Sequence, residues 1–200
     1  MKRSTAVNRL TEIATELERS KRWPGATVVA TYVFGSIVEE YGDVERILIA
    51  LAVEEPVESV PWMSKPPRLE ALASLLRFDK LPMSWWWRPS ASPVWNHTIT
   101  RAVCFWSVAD GSDQTVFDAL AAGRLDQLHF VEPGGRDELV AQLRAERDIA
   151  RCHLEESVAG FHEREWRREH RSDGVYPGDH LWSAAAGFVD LDNALTDLEH

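Results

Sequence analysis

Residues 83–108, MSWWWRPSASPVWNHTITRAVCFWSV, hold five of the nine tryptophans and constrain the fold more than any other stretch. Pro82 and Pro89 bracket Trp85, Trp86 and Trp87, so the run is extended, with its first and third indoles facing one way and the middle one the other. Indoles on both faces demand packing layers above and below one sheet. After a Ser-Ala-Ser-Pro turn, the chain resumes through Val94–Ile99, and 101–108 is rich in β-branched and aromatic residues, which reads as strand. The two segments are expected to pair as a hairpin across Pro89–Pro93. Arg88, Asn96, His97 and Arg101 are the polar residues among Trp85, Trp87 and Trp95. Indole surfaces beside a guanidinium and an amide make a candidate ligand or partner pocket. The competing expectation is that the rings are core, and that the amide and imidazole tie down neighbouring backbone.

The remaining elements follow from periodicity. Val7, Leu10, Ala14 and Leu17 recur at helical steps from Ser4 to a stop at Pro24-Gly25, and Thr27–Phe34 reads as a strand broken by Gly35-Ser36. Ile47–Val53 is unbroken apolar sequence, expected to be an interior strand covered on both faces. Four prolines within 54–67 make an extended connection pinned by Trp62, and Leu69–Leu76 gives a short helix up to about Asp79. Ser112 is a candidate N-cap for a helix ending at Gly123. Past Pro133-Gly134-Gly135, Leu139, Leu143, Ala150, Leu154, Val158 and Phe161 line a long helix that Gly160 is placed to bend. Asp179 is placed to cap a last helix carrying Leu181, Ala185, Phe188, Leu191, Leu195 and Leu198.

Together these predict an α+β fold: a mixed central sheet of about four to five strands flanked by helices, ending in an antiparallel helical hairpin. The expected division is 1–132 as the α+β part and 133–200 as the hairpin, packed on it or on a second subunit. A formal charge of −10 argues against an extended nucleic-acid footprint, and no apolar run is long enough for a membrane span. Cys104 and Cys152 lie in segments of different type, which predicts reduced, buried thiols and a cytoplasmic chain.

Phe34-Gly35-Ser36, followed by Asp43-Val44-Glu45 and an apolar strand, resembles the start of the nucleotidyltransferase superfamily that includes polymerase β and small bacterial toxin–antitoxin transferases. The resemblance implies phosphate binding at Gly35 and Ser36, and Mg²⁺ held by Asp43 and Glu45 as the catalytic pair. The gap from Ser36 to Asp43 is shorter than in that family, the second acid is Glu, and neither MSWWWRP nor TRAVCFWSV supplies a third carboxylate. The expectation is therefore a degenerate scaffold without catalysis and without a cofactor.

The Pro93–His97 segment and the Pro61-Trp62 pair resemble an uncharacterised bacterial family of unknown function that spans most of such a chain. The leading functional expectation is a cytosolic binding or regulatory protein whose partner is a protein or a small molecule. The alternatives are an active Mg²⁺-dependent nucleotidyltransferase and a structural homodimer or complex subunit joined through the C-terminal helices.

Overall fold

A computed structural model describes residues 1–21, 27–80, 82–171 and 176–199. The chain runs α1 (Arg3–Ser20), β1 (Val28–Phe34), α2 (Ser36–Glu39), β2 (Ile47–Val53), α3 (Pro67–Leu75), β3 (Met83–Pro89), β4 (Val103–Ser107), β5 (Gly111–Ser112), α4 (Gln114–Ala122), α5 (Arg136–Gly160), α6 (Arg164–Glu169) and α7 (Pro177–Glu199). The strands form one mixed sheet in the order β3-β2-β1-β4-β5, in which β2 and β3 are parallel and every other pair is antiparallel. The fold is α+β, as the residue patterns imply.

Strand parity assigns the two faces. Ile47, Ile49, Leu51 and Val53 of β2, with Met83, Trp85 and Trp87 of β3, turn toward a core built with Leu10, Ile13 and Leu17 of α1, Leu69 and Ala73 of α3, and Phe117 and Leu120 of α4. Leu48, Ala50 and Trp86 turn the opposite way, into a second core with Trp62, Leu143 and Ala150 of α5, and Leu191 and Leu195 of α7. β2 is therefore an interior strand covered on both sides, and the C-terminal helices close the second face of the sheet. The α3 crossover permits the parallel β2–β3 pairing, which a tight turn does not. Arg9, itself buried, donates to the Leu76 and Arg77 carbonyls at 2.5 and 2.8 Å, so α1 caps the C-terminal end of α3.

Several local expectations are corrected. The tryptophan run does not form a hairpin with the following segment: β3 lies on the sheet's outer edge and β4 on the far side of β1, with two strands between them. Residues 94–99 are not strand, because the Asn96 side chain accepts from the backbone N–H of Thr98 and Ile99, both at 3.0 Å, and folds the segment into a turn. Asp113, not Ser112, caps α4: its carboxylate accepts from Thr115 and Val116, while Ser112 pairs in β5. α7 begins at Pro177, with Asp179 reaching back to the Tyr176 N–H at 2.7 Å. Its buried line is His180, Ala184, Gly187, Leu191 and Leu195, one position away from the stripe drawn through Leu181, Ala185 and Phe188. On α5, Val158 is exposed and Glu146 is buried. The expected stop at Pro24-Gly25 lies outside the described residues.

Candidate functional site

Arg88 leaves β3 on the face of Trp86 and enters the second core, where it is 2% exposed. A cation in that setting needs a charged partner and further hydrogen bonds. Arg88 pairs with Glu146 of α5, donates to the Pro93 carbonyl at 2.9 Å, and lies 5.4 Å from the Trp62 ring. Glu146 also accepts from Asn96 Nδ2 at 3.1 Å and Gln142 Nε2 at 2.7 Å. Asn96 is fully buried, so one side chain shapes its own turn and joins that turn to α5.

A second junction forms on α7. Asp190 accepts from Trp62 Nε1 at 2.7 Å and His97 Nε2 at 2.8 Å. Trp62 in turn stacks on Trp86, with centroids 6.2 Å apart and planes 9° from parallel. The backbone of α7 approaches so closely that a Cβ on Gly187 would sit 2.3 Å from the Trp62 carbonyl oxygen.

The predicted pocket residues are thus brought only partly together. Arg88 and Asn96 converge on Glu146, and His97 on Asp190. Trp95 is buried. Trp87 lies in the first core, with its indole N–H donating to Glu70 at 3.0 Å, beside a longer contact of 3.4 Å from Trp85. Arg101 stands apart, over the Phe130 ring at 3.9 Å and 3.8 Å from Glu132. Glu146, Asp190, Trp62 and Glu70, the partners that organise these residues, carried no distinguishing sequence signal apart from the Pro61-Trp62 pair.

What stays open is the outer edge of β3. A trough of about 210 Å³ runs along it, flanked by Met63–Lys65 and half-buried Trp86 on one side and by Glu70 and half-buried Trp85 on the other. A much smaller cleft, about 20 Å³, touches Arg88 and Glu146, and an acidic hollow of about 310 Å³ on α5 includes Cys152 and His153. Cys152 is exposed, contrary to the expectation of two buried thiols; Cys104 is half-buried, and burial pushes its thiol pKa up.

The Gly-Ser turn and the acidic pair lie at the opposite ends of one short connection. Gly35 has φ +74°, and a Cβ there would meet Leu48 at 2.8 Å, so the turn requires glycine. Asp43 and Glu45 are exposed with buried Val44 between them, which places both carboxylates on the outer side of the chain just before β2. Arg3 secures this connection through the carbonyls of Ile37, Glu40 and Gly42. Among the described residues, no group of three or more His, Cys, Asp or Glu side chains is placed to hold a metal ion. No helix is long and apolar enough to cross a membrane among those residues.

His153, His170 and His180 meet where α5, α6 and α7 converge. His170 stacks on Trp166 at 3.9 Å and meets His180 edge-on at 5.3 Å. Burial, reinforced by the neighbouring imidazoles, pushes His180 below the ordinary histidine value; burial likewise lowers His153.

No curated protein and no solved structure matches the chain. Residues 1–197 match the family described as Domain of unknown function (DUF7711), and the chain belongs to that family.

Proposed function

We propose that this protein is a cytoplasmic binding or regulatory protein, not a catalyst, and that its contact face is the recessed outer edge of β3. The observation that carries the reading is the trough: half-buried indoles of Trp85 and Trp86 flank an open hollow that also holds Ser64, Lys65 and Glu70, apolar walls with a few polar groups of the kind that orient a ligand. The guanidinium, amide and imidazole beside the other tryptophans are engaged with Glu146 and Asp190 and support the sheet from behind. Free Cys104 and Cys152 suit a reducing compartment.

The test is to label the indole nitrogens with ¹⁵N and add a set of small aromatic and apolar fragments to the intact chain. The reading predicts that the Trp85 and Trp86 indole signals move while those of Trp95 and Trp106 stay put. No movement of the first two with any fragment contradicts it.

A second reading, a Mg²⁺-dependent nucleotidyltransferase, is favoured by the shared orientation of Asp43 and Glu45 beyond the Gly35 turn. Two carboxylates, with waters and substrate phosphates, suffice for Mg²⁺. Calorimetric titration of the same sample with nucleoside triphosphate and Mg²⁺ separates the two readings, since the binding reading predicts no heat at millimolar ligand. A pairing of two copies through the C-terminal helices would use exposed Trp182 and Val189 on α7.

A further inference from the structure

Among the described residues no strand pairs with the outer side of β3, and this edge has a defined polarity. Ile47 donates to the Pro82 carbonyl at 3.0 Å and Ser90 donates to the Val53 carbonyl at 2.8 Å, so the even-numbered residues of β3 direct their backbone groups at β2. By parity Met83, Trp85 and Trp87 direct theirs outward, into the trough. Edge strands with outward N–H and C=O groups are templates for another strand, and folds normally blunt or cover them. This one is recessed between Met63–Lys65 and Glu70.

Resting on the reading of this edge as the contact face, we propose that the trough takes an extended, acidic peptide segment of a partner protein, which adds to β3 as a sixth strand. The recess selects a lone strand over a second copy of the sheet, because two edges each set behind their own walls would collide before their backbones met. At about 3.3 Å per residue, some five residues of the incoming chain cover Met83–Trp87. Alternate side chains of that segment would face Trp85 and Glu70 on one side, and Trp86 and Met63 on the other. Ser64 is buried and lines the trough, and its hydroxyl has no hydrogen-bond partner among the described residues.

The acidic preference comes from charge. On a chain of formal charge −10, the trough carries exposed Lys65 in its wall and exposed Arg46 at its end, where the guanidinium reaches the outward Met83 carbonyl at 3.3 Å and the Ser84 hydroxyl at 3.2 Å. Glu70 is engaged by the two indole N–H groups. An aspartate or glutamate flanking a β-branched or aromatic core complements that arrangement.

The experiment adds blocked hexapeptides to the intact chain, with Val, Ile, Thr or Phe at the four central positions. One set has Asp at both ends and a second has Lys. A third set repeats the Asp peptides with N-methyl groups on alternate backbone nitrogens, one subset for each choice of alternate positions. The Asp peptides should shift the Trp85 and Trp87 backbone amides and protect them from exchange. Lys ends should weaken binding at least tenfold, and a Lys65→Glu variant should narrow that preference. N-methylation of the edge-facing nitrogens should abolish binding in one subset. Fragments that move the Trp85 and Trp86 indoles where no peptide does would overturn the strand proposal and leave the binding reading intact. Binding unaffected by either pattern of N-methylation, or protection of the edge by self-association measured by light scattering, would also overturn it. Silence from fragments and peptides alike would sink both.

Discussion

Arg88 decides how the tryptophan region is read. A guanidinium 2% exposed is held in place by Glu146 of α5 and the Pro93 carbonyl, and Asn96, from the same turn as Pro93, donates to Glu146 in turn. Removing one charge leaves the other buried and unpaired, so Arg88→Met or Glu146→Leu alone should lower stability by about 3–5 kcal/mol in urea unfolding. The double substitution Arg88→Met with Glu146→Leu should recover most of that loss, because burying two apolar groups of similar volume removes the desolvation cost. Equal losses in single and double variants would show that the ion pair does not carry the coupling. Little of this was legible in sequence. Glu146 sits between Arg144 and Arg147 on a charged helix and reads as solvated; only its approach to Arg88, 58 positions away in sequence, makes it core. Asn96 gave a better signal, since a single Asn amid rings is the residue type that both folds a turn and satisfies a buried charge.

At the level of elements, β2 and the alternation of the three indoles were readable because period-two patterning needs no knowledge of neighbours. The pairing partner of β3 was not. Adjacent strand-like segments favour a hairpin, but here α3 intervenes between β2 and β3 and brings them together in parallel, while residues 90–102 carry the chain across the second face to β4. The stripes on α5 and α7 slipped for a related reason: both helices bury residues that apolar periodicity passes over, Gly187 against Trp62 and Glu146 against Arg88. Gly187 is the clearest case, as the Trp62 carbonyl lies where its Cβ would be. Gly187→Ala should therefore cost about 1–3 kcal/mol by overpacking, despite alanine's better helix propensity. A thermal midpoint unchanged or raised would mean that α7 does not press on the proline-rich connection.

For the whole molecule, the histidine junction of α5, α6 and α7 gives stability a pH dependence. His153 and His180 are both depressed in the folded state, so the unfolded chain binds more protons once pH falls below the ordinary value near 6.5. Their contribution is complete above that value and is lost as pH falls through the folded values. Unfolding at pH 5.5 should need less urea than at pH 7.5, and replacing both histidines by Gln should remove much of that difference. The same slope in the double variant would place the dependence elsewhere.

The tryptophan-rich stretch as a whole divides into a buried support and an open rim. Amide hydrogen exchange along β3 in the free, intact chain tests that division most directly. Ser84, Trp86 and Arg88, whose amides face β2, should exchange slowly, and Trp85 and Trp87, whose amides face the trough, should exchange orders of magnitude faster. Uniformly slow exchange through all five would mean that the rim is already covered, and would contradict it.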